Sequence, residues 1–151
     1  MNIEQELQQN ADRLAIRELI DQYAYCADTR NARGQMALFT EDTNFEVYYD
    51  PKSETPSQVI SKNEDLFPVF DNLNSYDATM HFNGQSTIKV TDNTALAITY
   101  CMAHHLNVID SKQKLMIAAI RYQDKFEKQN NKWLFAERKL LVDWIENRET
   151  I

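Results

Sequence analysis

The chain holds three histidines, His81, His104 and His105, and the residue pattern around each places it on a strand. A carboxylate, Asp28, ends the helix-forming run Tyr23-Ala24-Tyr25-Cys26-Ala27-Asp28 that precedes them. Imidazole is the one unperturbed side chain that changes charge near neutral pH, and a carboxylate beside it fixes its tautomer and raises its basicity. If folding brings Asp28 to His81, the protein owns a general base.

Other chemistries fit the residues less well. Cys26 and Cys101 have no short spacing between them, so they make neither a disulfide framework nor a zinc motif. They read as buried free thiols in a reducing compartment. Gly34 and Gly84 are the only glycines, which leaves no glycine-rich phosphate loop. No metal site and no cofactor are expected: His104 and His105, as neighbours on a strand, point to opposite faces. Asp28, His81 and His105 could form a two-histidine, one-carboxylate set, a weaker reading than the metal-free pair.

The elements that must position these groups follow from periodicity. Ile16, Leu19, Ile20, Tyr23, Ala24 and Ala27 recur at the spacing of one helix face. A short second helix is expected over Gln35 to Phe39 and a strand over Asn44 to Tyr49. Ser61-Lys62-Asn63-Glu64 has the form of a capping box, with Val59 and Ile60 allowing an earlier start for a third helix kinked at Pro68. Four long strands are then expected, over Asp77–Val90, Ala95–Ile109, Lys114–Lys128 and Lys132–Trp144, joined by tight polar turns as an antiparallel meander. Helices first and strands afterwards indicate an α+β domain with its helices on one face of the sheet.

The strand Ala95–Ile109 is asymmetric. One parity reads Ala95, Ala97, Thr99, Cys101, Ala103, His105, and the other Leu96, Ile98, Tyr100, Met102, His104, Leu106. A face of small residues leaves room for a closely packed helix or for a ligand. The reading is a pocket with His105 at its rim, and a large-residue face packed on the core or on a second subunit.

At 151 residues, 43% hydrophobic and 26% charged, the chain fits one globular domain, taken as 1–151. A net charge of -7 with scattered basic residues argues against nucleic acid and anionic membranes as partners. No run approaches the ~18 apolar residues of a membrane span, and Met1 to Asn10 is unlike a signal peptide. A cytoplasmic location is expected.

Several stretches together resemble the SnoaL-like branch of the nuclear transport factor 2-like superfamily, a group that includes scytalone dehydratase, hexachlorocyclohexane dehydrochlorinase and bile-acid 7α-dehydratase. They are Ala15-Ile16-Arg17-Glu18-Leu19-Ile20 with Tyr23 and Asp28, Ala37-Leu38-Phe39-Thr40-Glu41-Asp42, Met80-His81-Phe82, Arg121-Tyr122-Gln123-Asp124-Lys125-Phe126, and Trp133-Leu134-Phe135. Their order and spacing carry the likeness.

The resemblance implies a cystatin-like, cone-shaped α+β barrel. In it a curved, mostly antiparallel sheet wraps three N-terminal helices around an apolar pocket, and the outer sheet face forms homo-oligomers, dimers or trimers. It places Asp28 and His81 on a pair in which the aspartate orients a proton-abstracting histidine, and His105 near a second pocket histidine. Tyr23 falls on a pocket tyrosine. Tyr48, or Val47 with a shift of one residue, falls on a tyrosine that polarises the substrate. Cys101, Ala103, Ile120 and Tyr122 would line the pocket. Ile120 and Tyr122 stand where scytalone dehydratase has a serine and an asparagine, and Val142 where the bile-acid enzyme has an arginine, so substrate identity does not carry over. The implied activity is a cofactor-independent lyase or isomerase, first a dehydratase-type elimination, on a small apolar molecule. The alternative is a non-catalytic ligand-binding or structural subunit of the same fold, as in ring-hydroxylating dioxygenases.

Overall fold

The computed structural model describes residues 1–150. Helix α1 runs over Ile3–Asp28. A capping box does open a helix, but at the N-terminus rather than at Ser61: Asn2 accepts from the Gln5 N–H and the Gln5 side chain accepts from the Asn2 N–H, both at 2.9 Å. The predicted stripe, Ile16, Leu19, Ile20, Tyr23, Ala24 and Ala27, is buried. The helix stops where the Asn31 N–H reaches back to the Cys26 carbonyl at 2.8 Å. That closure puts Arg30 in the left-handed region, at φ 60°.

Asn31 then caps a second helix, α2 (Ala32–Met36), by accepting from the Gly34 N–H at 2.9 Å. This helix starts and ends earlier than the sequence suggests, because Phe39 is already claimed by a strand. That strand, β1 (Phe39–Tyr48), lies parallel to the last strand with Phe39 in register with Phe135. Their rings stack at 4.9 Å. Gln58–Ile60 forms a short strand, β2, antiparallel to β1, where the sequence suggests a helix start. A 3-10 turn (Asn63–Leu66), helix α3 (Phe67–Asp71) and a second 3-10 turn (Asn72–Ser75) follow. Pro68 sits in the first turn of α3, where no N–H is needed, so it starts a helix instead of kinking one.

Strands β3 (Ala78–Thr91), β4 (Thr94–Ile109), β5 (Lys112–Gln129) and β6 (Lys132–Thr150) form the expected meander. Asp110 and Ser111, and Asn130 and Asn131, all have positive φ, as two-residue hairpin turns demand. Strand β6 outruns its predicted end at Trp144 because β5 continues to pair with it as far as Gln113. The sheet order is β2-β1-β6-β5-β4-β3. The sheet is curved and unclosed, bent by register shifts at Asn83/Ser86, Ala119/Ile120 and Lys125/Phe126.

The inner face carries the core: Tyr23, Phe39, Phe45, Phe70, Phe126 and Phe135 pack edge-to-face or stacked. Each such ring contributes about 1.5–3 kcal/mol by leaving water. Inside this core lies an ion pair that the sequence pattern did not disclose. Arg138 donates to Asp124 through Nε at 2.8 Å and Nη2 at 3.1 Å, with both side chains fully buried. The guanidinium lies 3.6 Å from the Tyr122 ring centre and 4.2 Å from that of Tyr23.

Candidate active site

Asp28 ends α1, where the helix dipole disfavours a negative charge. Three donors offset this. The His81 ring reaches Oδ1 from Nδ1 at 2.7 Å, the His81 backbone N–H reaches Oδ2 at 2.9 Å, and the Thr79 hydroxyl reaches Oδ1 at 3.0 Å. Burial by itself would raise the Asp28 carboxyl, but the bonds from His81 and Thr79 bring it below its ordinary value. The carboxylate is therefore ionised and accepts only, so Nδ1 of His81 carries the proton. In the neutral form of that ring the lone pair is then on Nε2.

His81 lines a cavity of about 530 Å³. Tyr23, Phe45, Val47, Phe70, Ile120 and Tyr122 form its apolar walls, with Tyr49 and Asp65 among the exposed residues of its rim. Among the described residues no lysine or arginine lines it. A drug-sized apolar ligand needs a space of this order.

His105 projects into the same cavity from β4, its ring centre 5.8 Å from that of His81 and 4.8 Å from Tyr76. Burial, with the neighbouring His81 as a second cause, holds its pKa below the ordinary histidine value. It is neutral near pH 7, and its buried Nδ1 has no hydrogen-bond partner among the described residues.

A family model for the SnoaL-like domain matches residues 8–139. The chain belongs to the SnoaL-like family. Solved structures share the fold. One is a candidate scytalone dehydratase from Novosphingobium aromaticivorans, 19% identical over 95% of this chain and 91% of that one, with a TM-score of 0.78. Another is a hexachlorocyclohexane dehydrochlorinase from Novosphingobium barchaimii, 16% identical over 95% and 94%, TM-score 0.77. A third, a Mycobacterium tuberculosis protein of unknown function, is 23% identical over 90% and 74%, TM-score 0.76. A search of curated proteins gives no match.

Within this SnoaL-like fold the residues singled out from sequence separate into two groups. Asp28, His81, His105, Tyr23, Ile120 and Tyr122 converge on the cavity or its hydrogen-bonded wall. Tyr48 does not. In β1 the side chains of Phe45 and Val47 turn inward, so Tyr48 turns outward and its hydroxyl donates to Glu46 at 2.8 Å. Cys101 and Ala103 also fall outside the lining: they are buried in the core cluster that includes Ile16, Ile20 and Tyr23, and Ala103 is fully covered. The small-residue face of β4 therefore makes room for packing along most of its length, and of that face His105 alone lines the cavity among the described residues.

Four residues of the site are not marked out by the sequence: Thr79 and Arg30, and Tyr76 and Gln35 on the cavity wall. Thr79, His81 and Asn83 share one polar parity of β3, which α1 meets: Arg17 donates to the Gly84 carbonyl at 2.9 Å and Asn83 to Asp21 at 3.0 Å. Arg30 carried one signal, a bulky residue at the helix stop where glycine is usual. Tyr76 and Gln35 gave none. Among the described residues no cluster of His, Cys, Asp and Glu is arranged to hold a metal ion, and no helix is long and apolar enough to cross a membrane.

Proposed function

We propose that this protein is a cofactor-independent lyase or isomerase in which His81 removes a proton from carbon and Asp28 holds the imidazole for that task. The observation that carries the reading is the 2.7 Å contact between Asp28 Oδ1 and His81 Nδ1 at the wall of an apolar cavity. An ionised carboxylate bonded to a nearly buried imidazole beside a ligand-sized cavity is the arrangement a general base requires.

The substrate is a small uncharged molecule with a C–H made acidic by an adjacent carbonyl, since the lining offers aromatic and aliphatic walls and no cation. Nε2 of His81 takes the proton and electrons move towards the carbonyl oxygen. In an elimination they return to form the C=C bond as the C–O bond to a β-hydroxyl breaks. The hydroxyl departs as water, protonated by the His81 imidazolium, which returns that ring to its neutral form. Tyr23 donates a hydrogen bond to the oxygen that gains charge: burial raises its pKa to about 12, so it does so without ionising. His105, neutral, is a second such hydrogen-bonding group. In an isomerisation the same proton returns to a different carbon.

The test is proton exchange in D2O with cyclic β-hydroxy ketones and enones, followed by NMR. Exchange and turnover that vanish in His81→Ala, with the fold intact, support the reading; full activity in that variant overturns it.

The same reading takes a second copy of the chain as the partner of the outer sheet face. There Phe82 is 67% and Trp144 58% exposed, beside Met80, Leu96, Ile98 and Tyr100. This is the large-residue parity of β4 together with the outward parity of β3, a wide apolar surface for a monomer to leave in water.

A further inference from the structure

Arg30 occupies a backbone position that suits glycine, at φ 60° in the turn that ends α1. Its side chain accounts for its presence. Nη1 donates to the Ala27 carbonyl at 3.0 Å and to the Thr79 hydroxyl oxygen at 2.7 Å, and Nη2 lies 3.4 Å from the Tyr76 carbonyl. One guanidinium thus ties the end of α1, the start of β3 and the corner that carries Tyr76 against His105.

The direction of these bonds matters more than their number. A guanidinium only donates, so the Thr79 oxygen must accept from it. The single hydroxyl hydrogen of Thr79 is then directed to Asp28 Oδ1, 3.0 Å away. Asp28 Oδ2 is taken by the His81 backbone N–H. The carboxylate is consequently held at both oxygens, in the one orientation that presents Oδ1 to His81 Nδ1.

We infer that Arg30 is a positioning residue for the Asp28–His81 pair, acting through Thr79: it sets the direction of the threonine proton, which orients the carboxylate, which holds His81 as the Nδ1–H tautomer with Nε2 free. The inference rests on the general-base reading above and adds to it the two residues that keep the base in its working form. Helix-end arginine, strand threonine and aspartate act as one relay, and the left-handed backbone at residue 30 is the conformation that lets the guanidinium turn back over the helix end.

The test needs no substrate. Ring nitrogen shifts of His81 are recorded by 15N NMR on the whole chain, at a pH where the imidazole is neutral, for the wild type, Arg30→Gly and Thr79→Val. Glycine suits the left-handed backbone, and valine keeps the shape of threonine and leaves the arginine's other two bonds in place, so the second variant reports even if the first folds poorly. The wild type is expected to show one tautomer with the proton on Nδ1. Both variants are expected to move the two ring shifts towards each other, as a mixture of tautomers does. A purely structural staple would leave them unchanged. A wild-type ring protonated on Nε2 would overturn the general-base reading itself. A wild-type Nδ1–H ring that persists in Thr79→Val or in folded Arg30→Gly overturns the relay and leaves the base standing.

Discussion

Asp28 holds His81 at two points, by its ring at 2.7 Å and by its backbone N–H at 2.9 Å, so one carboxylate fixes both the rotation of the imidazole and the strand that carries it. Fifty-three residues separate the two in sequence. Replacing Asp28 by Asn keeps the shape but removes the anion that accepts the Nδ1 proton. Turnover is expected to fall by about 100- to 10,000-fold, the range that a positioned general base supplies. Steady-state kinetics checks this, and a kcat within twofold of wild type, where about tenfold corresponds to 1.4 kcal/mol of barrier, would remove Asp28 from the mechanism.

The same pair makes a pH prediction for stability. The folded Asp28 carboxyl lies below its ordinary value of 3.8, so its contribution is fully present above that value and is lost as pH falls through the folded one. In urea titrations wild type is expected to lose its advantage over Asp28→Asn only below about pH 4, the unfolded range for aspartate. An advantage that disappears instead near pH 6 would point to a different group.

Tyr23 and Tyr48 are expected to part company. Tyr48→Phe removes a partly buried hydrogen bond to Glu46 outside the cavity, a loss of about 0.5–1.5 kcal/mol in stability with turnover unchanged. Tyr23→Phe keeps the packing of the ring against Phe39 and Phe70 but removes a hydroxyl from the cavity wall, and is expected to lower kcat. Paired kinetics and urea denaturation of the two variants check both halves.

Beneath the cavity, Arg138→Ala would leave the Asp124 carboxylate buried without its partner, a cost of about 3–5 kcal/mol. Exchanging both residues for leucine and methionine is expected to recover most of that, because the pair sits among aromatic rings that accept apolar neighbours. Equilibrium unfolding of the single and double variants measures the difference.

On the outer face, Phe82→Glu combined with Trp144→Glu is expected to shift the protein from oligomer to monomer in sedimentation equilibrium, with the fold retained. A wild type that sediments as a monomer at every concentration would end the proposal that a second copy covers this face.

Periodicity alone located the buried stripe of α1, the four long strands and their turns, and therefore the two elements that bear Asp28 and His81. These features are local: a spacing of 3.6 or 2 residues is written within each segment. What the tertiary structure decided is which face of each strand looks inward. Tyr48 turns outward because its neighbours Phe45 and Val47 line the cavity, and β1 is held in that setting by its pairing with β6, about ninety positions later. The polar parity of β3 turns inward because α1 supplies Asp21, Arg17 and Asp28 to meet it. The contacts of Arg30 with Thr79 and of Arg138 with Asp124 join residues whose sequence surroundings carry no trace of one another. Side-chain type and local spacing nominate His81, but only the packing of one helix against one curved sheet gives it an orienting carboxylate at the wall of a cavity.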